Sequence, residues 1–139
     1  MADRAFHDAQ TQGVRHIDLV FSVAGATVTT NAPTFVEGDT KGASAGSYIT
    51  CTKVATGKYR FTTKDPYLGA VSFSANMCMA SPDSNSYPQM AKPSQNANGT
   101  WQFDVWVLHN AAGTFSLTDL TAGDQLHVQL RMRNSSSTP

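Results

Sequence analysis

Apolar and polar residues alternate from the first regular stretch of the chain. Ile17, Leu19, Phe21 and Val23 fall on one phase, and His16, Asp18 and Ser22 on the other. A period of two is that of a strand with one face buried, and Gly25 ends it. Ala26 to Thr30 is rich in β-branched residues and reads as a strand pairing with the first. Pro33 to Glu37 reads as a short edge strand, because proline is tolerated at strand starts and sheet edges. The run from Gly38 to Ser47 is a loop of small and polar residues.

Tyr48 to Val54 and Lys58 to Thr63 predict a hairpin across Ala55-Thr56-Gly57, where glycine takes the positive φ of a tight connection. Tyr59 and Phe61 then point inward, and Lys58, Arg60 and Thr62 outward. Asp65-Pro66-Tyr67 interrupts the pattern. Val71, Phe73, Ala75, Met77 and Met79 alternate with Ser72, Ser74, Asn76 and Cys78 until Ser81-Pro82. Pro82 to Asn98 holds Pro82, Pro88 and Pro93 and almost no large apolar residue, so it predicts a long connection outside the core. In the strand Thr100 to Leu108, Trp101, Phe103, Val105 and Val107 share one face. Trp106 and Leu108 stand on the other face, which therefore wants cover from a second layer of the same subunit or from another chain. Phe115, Leu117 and Leu120 form a short linking element. In the last strand Leu126, Val128, Leu130 and Met132 alternate with His127, Gln129, Arg131 and Arg133.

About eight short strands and no long helix predict an all-β chain, a single antiparallel β-sandwich of jelly-roll type. Residues 1 to 14 are polar except for Phe6 and Val14 and read as an N-terminal arm. Residues 15 to 134 form the sandwich domain, and residues 135 to 139 a flexible tail. The expected core is Leu19, Phe21, Tyr59, Phe61, Phe73, Trp101, Phe103, Val105, Leu126, Val128 and Leu130.

Composition narrows the partners. At 139 residues the chain has the size of one domain, and 40% apolar content supports a globular core. Charged residues make up only 14%, against about 25% in typical soluble domains. Ten basic residues balance ten acidic ones, which argues against capture of nucleic acid or of an anionic membrane and leaves little repulsion between packed copies. The N-terminal residues lack the apolar stretch of a secretory signal, so the product is expected to be made in a cytosol. Cys51 and Cys78 match no metal or redox spacing and read as reduced strand residues.

Catalytic chemistry finds no foothold. The chain has no GxSxG, and His7, His16, His109 and His127 are scattered. No His-x-His pair accompanies Glu37, the only glutamate, so no metal is expected, and no cofactor either. Most aspartates read as turn-formers. Lys53, Lys58, Arg60, Arg131 and Arg133 make an outward basic stripe that aspartates dilute, and Tyr67, Tyr87 and Trp106 could stack on sugars.

The run Thr52-Lys53-Val54-Ala55-Thr56-Gly57-Lys58-Tyr59-Arg60-Phe61-Thr62 is followed by Asp65-Pro66-Tyr67 and Val71-Ser72-Phe73-Ser74-Ala75. Later come Asp119, Gly123-Asp124 and Leu130-Arg131-Met132-Arg133-Asn134-Ser135-Ser136. Together they resemble a pattern in small virion proteins of tailed bacteriophages, β-sandwiches that decorate or cement the capsid. The likeness covers about 85 residues and rests on strand and turn positions; the first fifty residues depart from it. It implies a non-enzymatic protein on the capsid exterior of a virion, made in the host bacterial cytoplasm. Its partners would be the major capsid protein and itself, as dimer or trimer, with no nucleic acid and no membrane. A head or tail fibre, or a carbohydrate-binding module, is the competing reading. Phe6, Val14, Lys41, Tyr87 and Met90 are the expected capsid contacts, and Trp106 with Leu108 the expected subunit interface.

Overall fold

The computed structural model describes residues 14–22, 34–38, 49–82 and 85–133. They hold ten strands and no helix: β1 (Val14–Ser22), β2 (Thr34–Gly38), β3 (Ile49–Ala55), β4 (Lys58–Thr63), β5 (Gly69–Cys78), β6 (Ser86–Met90), β7 (Ser94–Gln95), β8 (Trp101–Ala111), β9 (Thr114–Leu117) and β10 (Gln125–Arg133). All pairings are antiparallel. Sheet A has the order β2-β1-β10-β5. Sheet B has the order β3-β4-β8-β6, with β7 and β9 also paired to β8.

The alternation read from the sequence sets which faces meet. Ile17, Leu19 and Phe21 of β1 and Leu126, Val128, Leu130 and Met132 of β10 line the inner face of sheet A. Tyr59 and Phe61 of β4 and Phe103, Val105 and Val107 of β8 line that of sheet B. Aromatic contacts join the layers: Phe21 meets Phe61 edge-on at 5.0 Å between centroids, and Phe73 meets Phe103 at 4.9 Å. Two sheets closed over one apolar core are the layout of a β-sandwich. Of the expected core, Phe73 and Trp101 are only partly buried and pack against its rim, whereas Ile49, Tyr67 and Leu120 belong to it.

Several expectations need correction. Ten strands are present among the described residues where about eight were expected. Val71 is 53% exposed, because Met132 pairs with Ala70 and Arg131 with Ser72, which leaves Val71 as the extra residue of a bulge and reverses its direction. Pro82 to Asn98 is no bare connection: β6 and β7 add backbone pairing to β8, as short strands at a sheet edge where Pro88 is tolerated. Lys53 does not join an outward stripe. It sits on the inner side beside Tyr59, 8% exposed in its side chain, with Nζ 2.8 Å from an Asp119 carboxylate oxygen. The region from Ala26 to Thr30 and the loop after Gly38 lie outside the described residues.

Turn aspartates behave as their residue type predicts. Asp124 is buried and accepts from the Ala80 and Thr121 amides at 2.9 and 2.8 Å, tying the start of β10 to the end of β5. Gly57 has φ +64, and a Cβ there would stand 2.7 Å from the Thr118 carbonyl oxygen. Its own N–H donates to Asp119 at 2.8 Å, and its carbonyl accepts from Val107 N–H at 2.7 Å. The β3–β4 turn is thereby clamped against the chain that follows β9.

Candidate functional site

The outer face of sheet B is built on β8. Its inward residues are buried, and the alternation turns Gln102, Asp104, Trp106, Leu108 and Asn110 outward. Registers with the neighbouring strands arrange that face in rows. Gln102 stands beside Thr62, and Thr62 beside Thr50. Asp104 stands beside Arg60, Trp106 between Gln89 and Lys58, Leu108 between Tyr87 and Leu117, and Asn110 beside Phe115. One end of the face is polar and the other is aromatic and aliphatic.

At the polar end Arg60 clasps Asp104 in two parallel hydrogen bonds of 2.7 and 2.8 Å. The carboxylate pushes the guanidinium's pKa further up. At the apolar end the Lys58 ammonium lies 4.5 Å from the Trp106 ring centroid, a cation–π contact that covers part of the indole. Tyr87 and Phe115, on opposite sides of β8, meet across it with centroids 6.2 Å apart and planes at 78°. Tyr87 is 40% exposed and Phe115 59%; Trp106, Leu108 and Leu117 are half-buried. Behind the patch Tyr59 is buried and its hydroxyl oxygen accepts from Leu120 N–H at 2.9 Å; burial pushes its pKa up to about 12.

Three expected site residues, Tyr87, Trp106 and Leu108, therefore lie together. Met90 does not join them. It pairs with Val105 on the inner side of β6, and its Sδ accepts from the Ala75 N–H at 3.2 Å. Val14 opens β1, paired with Arg133 in the other sheet. Phe6 and Lys41 lie outside the described residues. Sequence reasoning missed Phe115 and Leu117 as members of the patch. The signal was the turn at Ala112-Gly113, which folds β9 back on β8 and extends the outward apolar phase.

Tyr67 must be withdrawn as an exposed stacking ring. It is 4% exposed, and its carbonyl accepts from Trp101 Nε1–H at 2.8 Å and from Gln95 Nε2–H at 3.0 Å.

The outer face of sheet A is polar. His16, Arg131 and Ser72 form one row, Asp18, Gln129 and Ser74 the next, then Val20, His127 and Asn76. Its shallow depression of about 380 Å³ is bordered by Val20 as well as by Asp18, Asn76, Cys78, His127 and Gln129. No group of three or more His, Cys, Asp or Glu able to hold a metal occurs among the described residues. Cys51 and Cys78 are free thiols, and burial raises the pKa of the first. Comparison with protein-family models, with curated proteins and with solved structures finds no match to this chain.

Proposed function

We propose that this chain is a non-enzymatic structural protein of a tailed-phage virion, which binds the outside of the assembled capsid and stabilises it by bridging major capsid protein subunits. The observation that carries this reading is the cluster of Trp106, Leu108, Tyr87, Phe115 and Leu117 on the outer face of an otherwise complete sheet. An outward aromatic cluster adds nothing to the core, and water is a poor solvent for it; another protein surface covers it best. The resemblance of the Thr52 to Ser136 pattern to capsid-decorating proteins supplies the identity of that surface. From the sequence, Tyr87 is an expected shell contact and Trp106 with Leu108 an expected subunit interface; because the three form one patch, all of it is given to the shell, with Phe6, Val14, Lys41 and Met90 as further shell contacts.

The fold reading behind it is a jelly roll. If β7 and β9 are taken as additions along β8, eight strands remain in two sheets of four, and the chain crosses between them from β2 to β3, β4 to β5, β5 to β6 and β9 to β10. A protein that binds only the assembled shell stabilises it by mass action and needs no turnover.

The competing carbohydrate-binding reading asks for coplanar rings on which sugars stack. Tyr87 and Phe115 stand nearly perpendicular, and Tyr67 is buried, which favours the protein partner. The deciding measurement is copy number in purified phage particles by quantitative mass spectrometry. A ratio to the major shell protein of order one is expected. Far fewer copies would move the protein to a fibre, and its absence from particles would end the virion reading.

A further inference from the structure

On the strands of sheet B three charged side chains turn outward: Lys58 and Arg60 from β4, and Asp104 from β8. Arg60 and Asp104 neutralise each other through their two hydrogen bonds. The carboxylate that follows β9, Asp119, is engaged by Lys53 Nζ and by the Gly57 N–H, each at 2.8 Å. Among the described residues no carboxylate pairs with Lys58. It is the charge left at the apolar end of the face, and its ammonium lies against the Trp106 ring, 4.5 Å from the centroid. A ring face holds the charge but supplies no lone pair, so the ammonium keeps N–H donors for an acceptor from outside.

On the other side of Trp106 the same row carries the exposed Gln89, with its side-chain amide. The next outward row along β8, about 7 Å away, is Tyr87, Leu108 and Leu117, with Phe115 beyond it beside Asn110. Polar donors thus flank the indole, and purely apolar surface begins one row further.

We infer that the shell surface bound by this face is apolar and bears one carboxylate, an aspartate or glutamate of the major capsid protein, that meets Lys58 Nζ at the Trp106 row. Apolar side chains of the shell then cover Leu108, Tyr87 and Phe115. The inference rests on the shell-binding reading and specifies the partner's chemistry. In the free protein the lysine covers part of the indole; on binding its ammonium turns to the carboxylate while its stem stays on the ring. Because the surrounding contact displaces water, the pair is stronger there than on an open surface. A lysine or arginine of the shell at that place is rejected, since Asp104 and Asp119 are both engaged and Lys58 repels it.

The test is co-sedimentation with capsids assembled without this chain, at several salt concentrations. Lys58→Met keeps a stem and removes the charge; it should bind about tenfold more weakly and with a shallower salt dependence than the unaltered protein. Lys58→Glu should bind about a hundredfold more weakly, and Lys58→Arg should recover most of what Lys58→Met loses. All three change an outward position and should keep the urea midpoint of the unaltered protein. Trp106→Ala separates this inference from the reading beneath it. If that variant loses capsid binding while Lys58→Met and Lys58→Glu bind like the unaltered protein, the carboxylate is refuted and shell binding stands. Tighter binding by Lys58→Met would also refute it, by showing the lysine to be only a cover for the ring. If the unaltered protein binds capsids at no salt concentration, both fall.

Discussion

The outer faces of the two sheets rest on equivalent inner faces yet carry different chemistry. Beyond sheet A, strands packed on the core by Leu19, Val128 and Ala75 present His16, Asp18, Gln129, His127, Ser74 and Asn76 to solvent, with Val20 the one apolar residue in those rows. Beyond the apolar end of sheet B, strands packed by Val105 and Val107 present Trp106, Leu108, Tyr87 and Phe115. The first face shows that hydroxyls, amides and imidazoles satisfy the outward positions of this fold. Folding therefore does not call for the second face's aromatic rings. Leaving them in water forgoes about 25 cal/mol for each Å² of apolar surface that a partner would cover. The contrast is the main reason to place binding on sheet B and to regard sheet A's face as a solvated one.

The comparison can be broken by substitution. Inner positions set the scale: Phe103→Ala should lower unfolding free energy by about 3–5 kcal/mol, measured in denaturant, since it empties a fully buried site against Phe73. Next comes Trp106→Ala, which should weaken binding to capsids by about 2–4 kcal/mol and leave the protein folded. His127→Ala on the opposite face should leave capsid binding unchanged. Equal losses from both, in a particle co-sedimentation assay, would erase the distinction between the faces.

Tyr59→Phe should cost about 1–3 kcal/mol by stranding the Leu120 N–H behind the patch. It should also remove a pH dependence. The Tyr59 pKa is raised to about 12 by burial, from an ordinary value of 10.0, so the folded state holds its proton where the unfolded chain releases it. That stability is fully present below pH 10 and is lost as the pH rises toward 12. Thermal unfolding across that window should show a decline in the unaltered protein that is smaller in Tyr59→Phe. The smallest effect belongs to Arg60→Ala: its bidentate pair with Asp104 is partly exposed, and the loss should be no more than about 1 kcal/mol.

Much of the fold was legible because a two-residue period survives translation into structure residue by residue. Ile17, Leu19, Phe21, Leu126, Val128 and Leu130 point where their phase says. Phase fails where pairing inserts or omits a residue. Val71 is turned out by a bulge set by β10, and Lys53 is drawn in by a carboxylate 66 positions away. The patch was half legible. Trp106 and Leu108 announced themselves as apolar residues on the minor face of one strand. Phe115 and Leu117 did not, because in a linking element an apolar residue has no phase of its own until β9 pairs with β8.

Local pattern alone thus established an all-β chain, the inward and outward sets of its main strands, and the turns that require Gly57 or an aspartate. These follow from sterics and solvation within a few residues, which any pairing partner must respect. The order of strands, the capture of Lys53 by Asp119, the burial of Tyr67 and the meeting of Tyr87 with Phe115 across β8 came only with the folded chain. Each joins segments far apart in sequence, and the free energy that selects among such pairings belongs to the packed whole rather than to any one stretch of it.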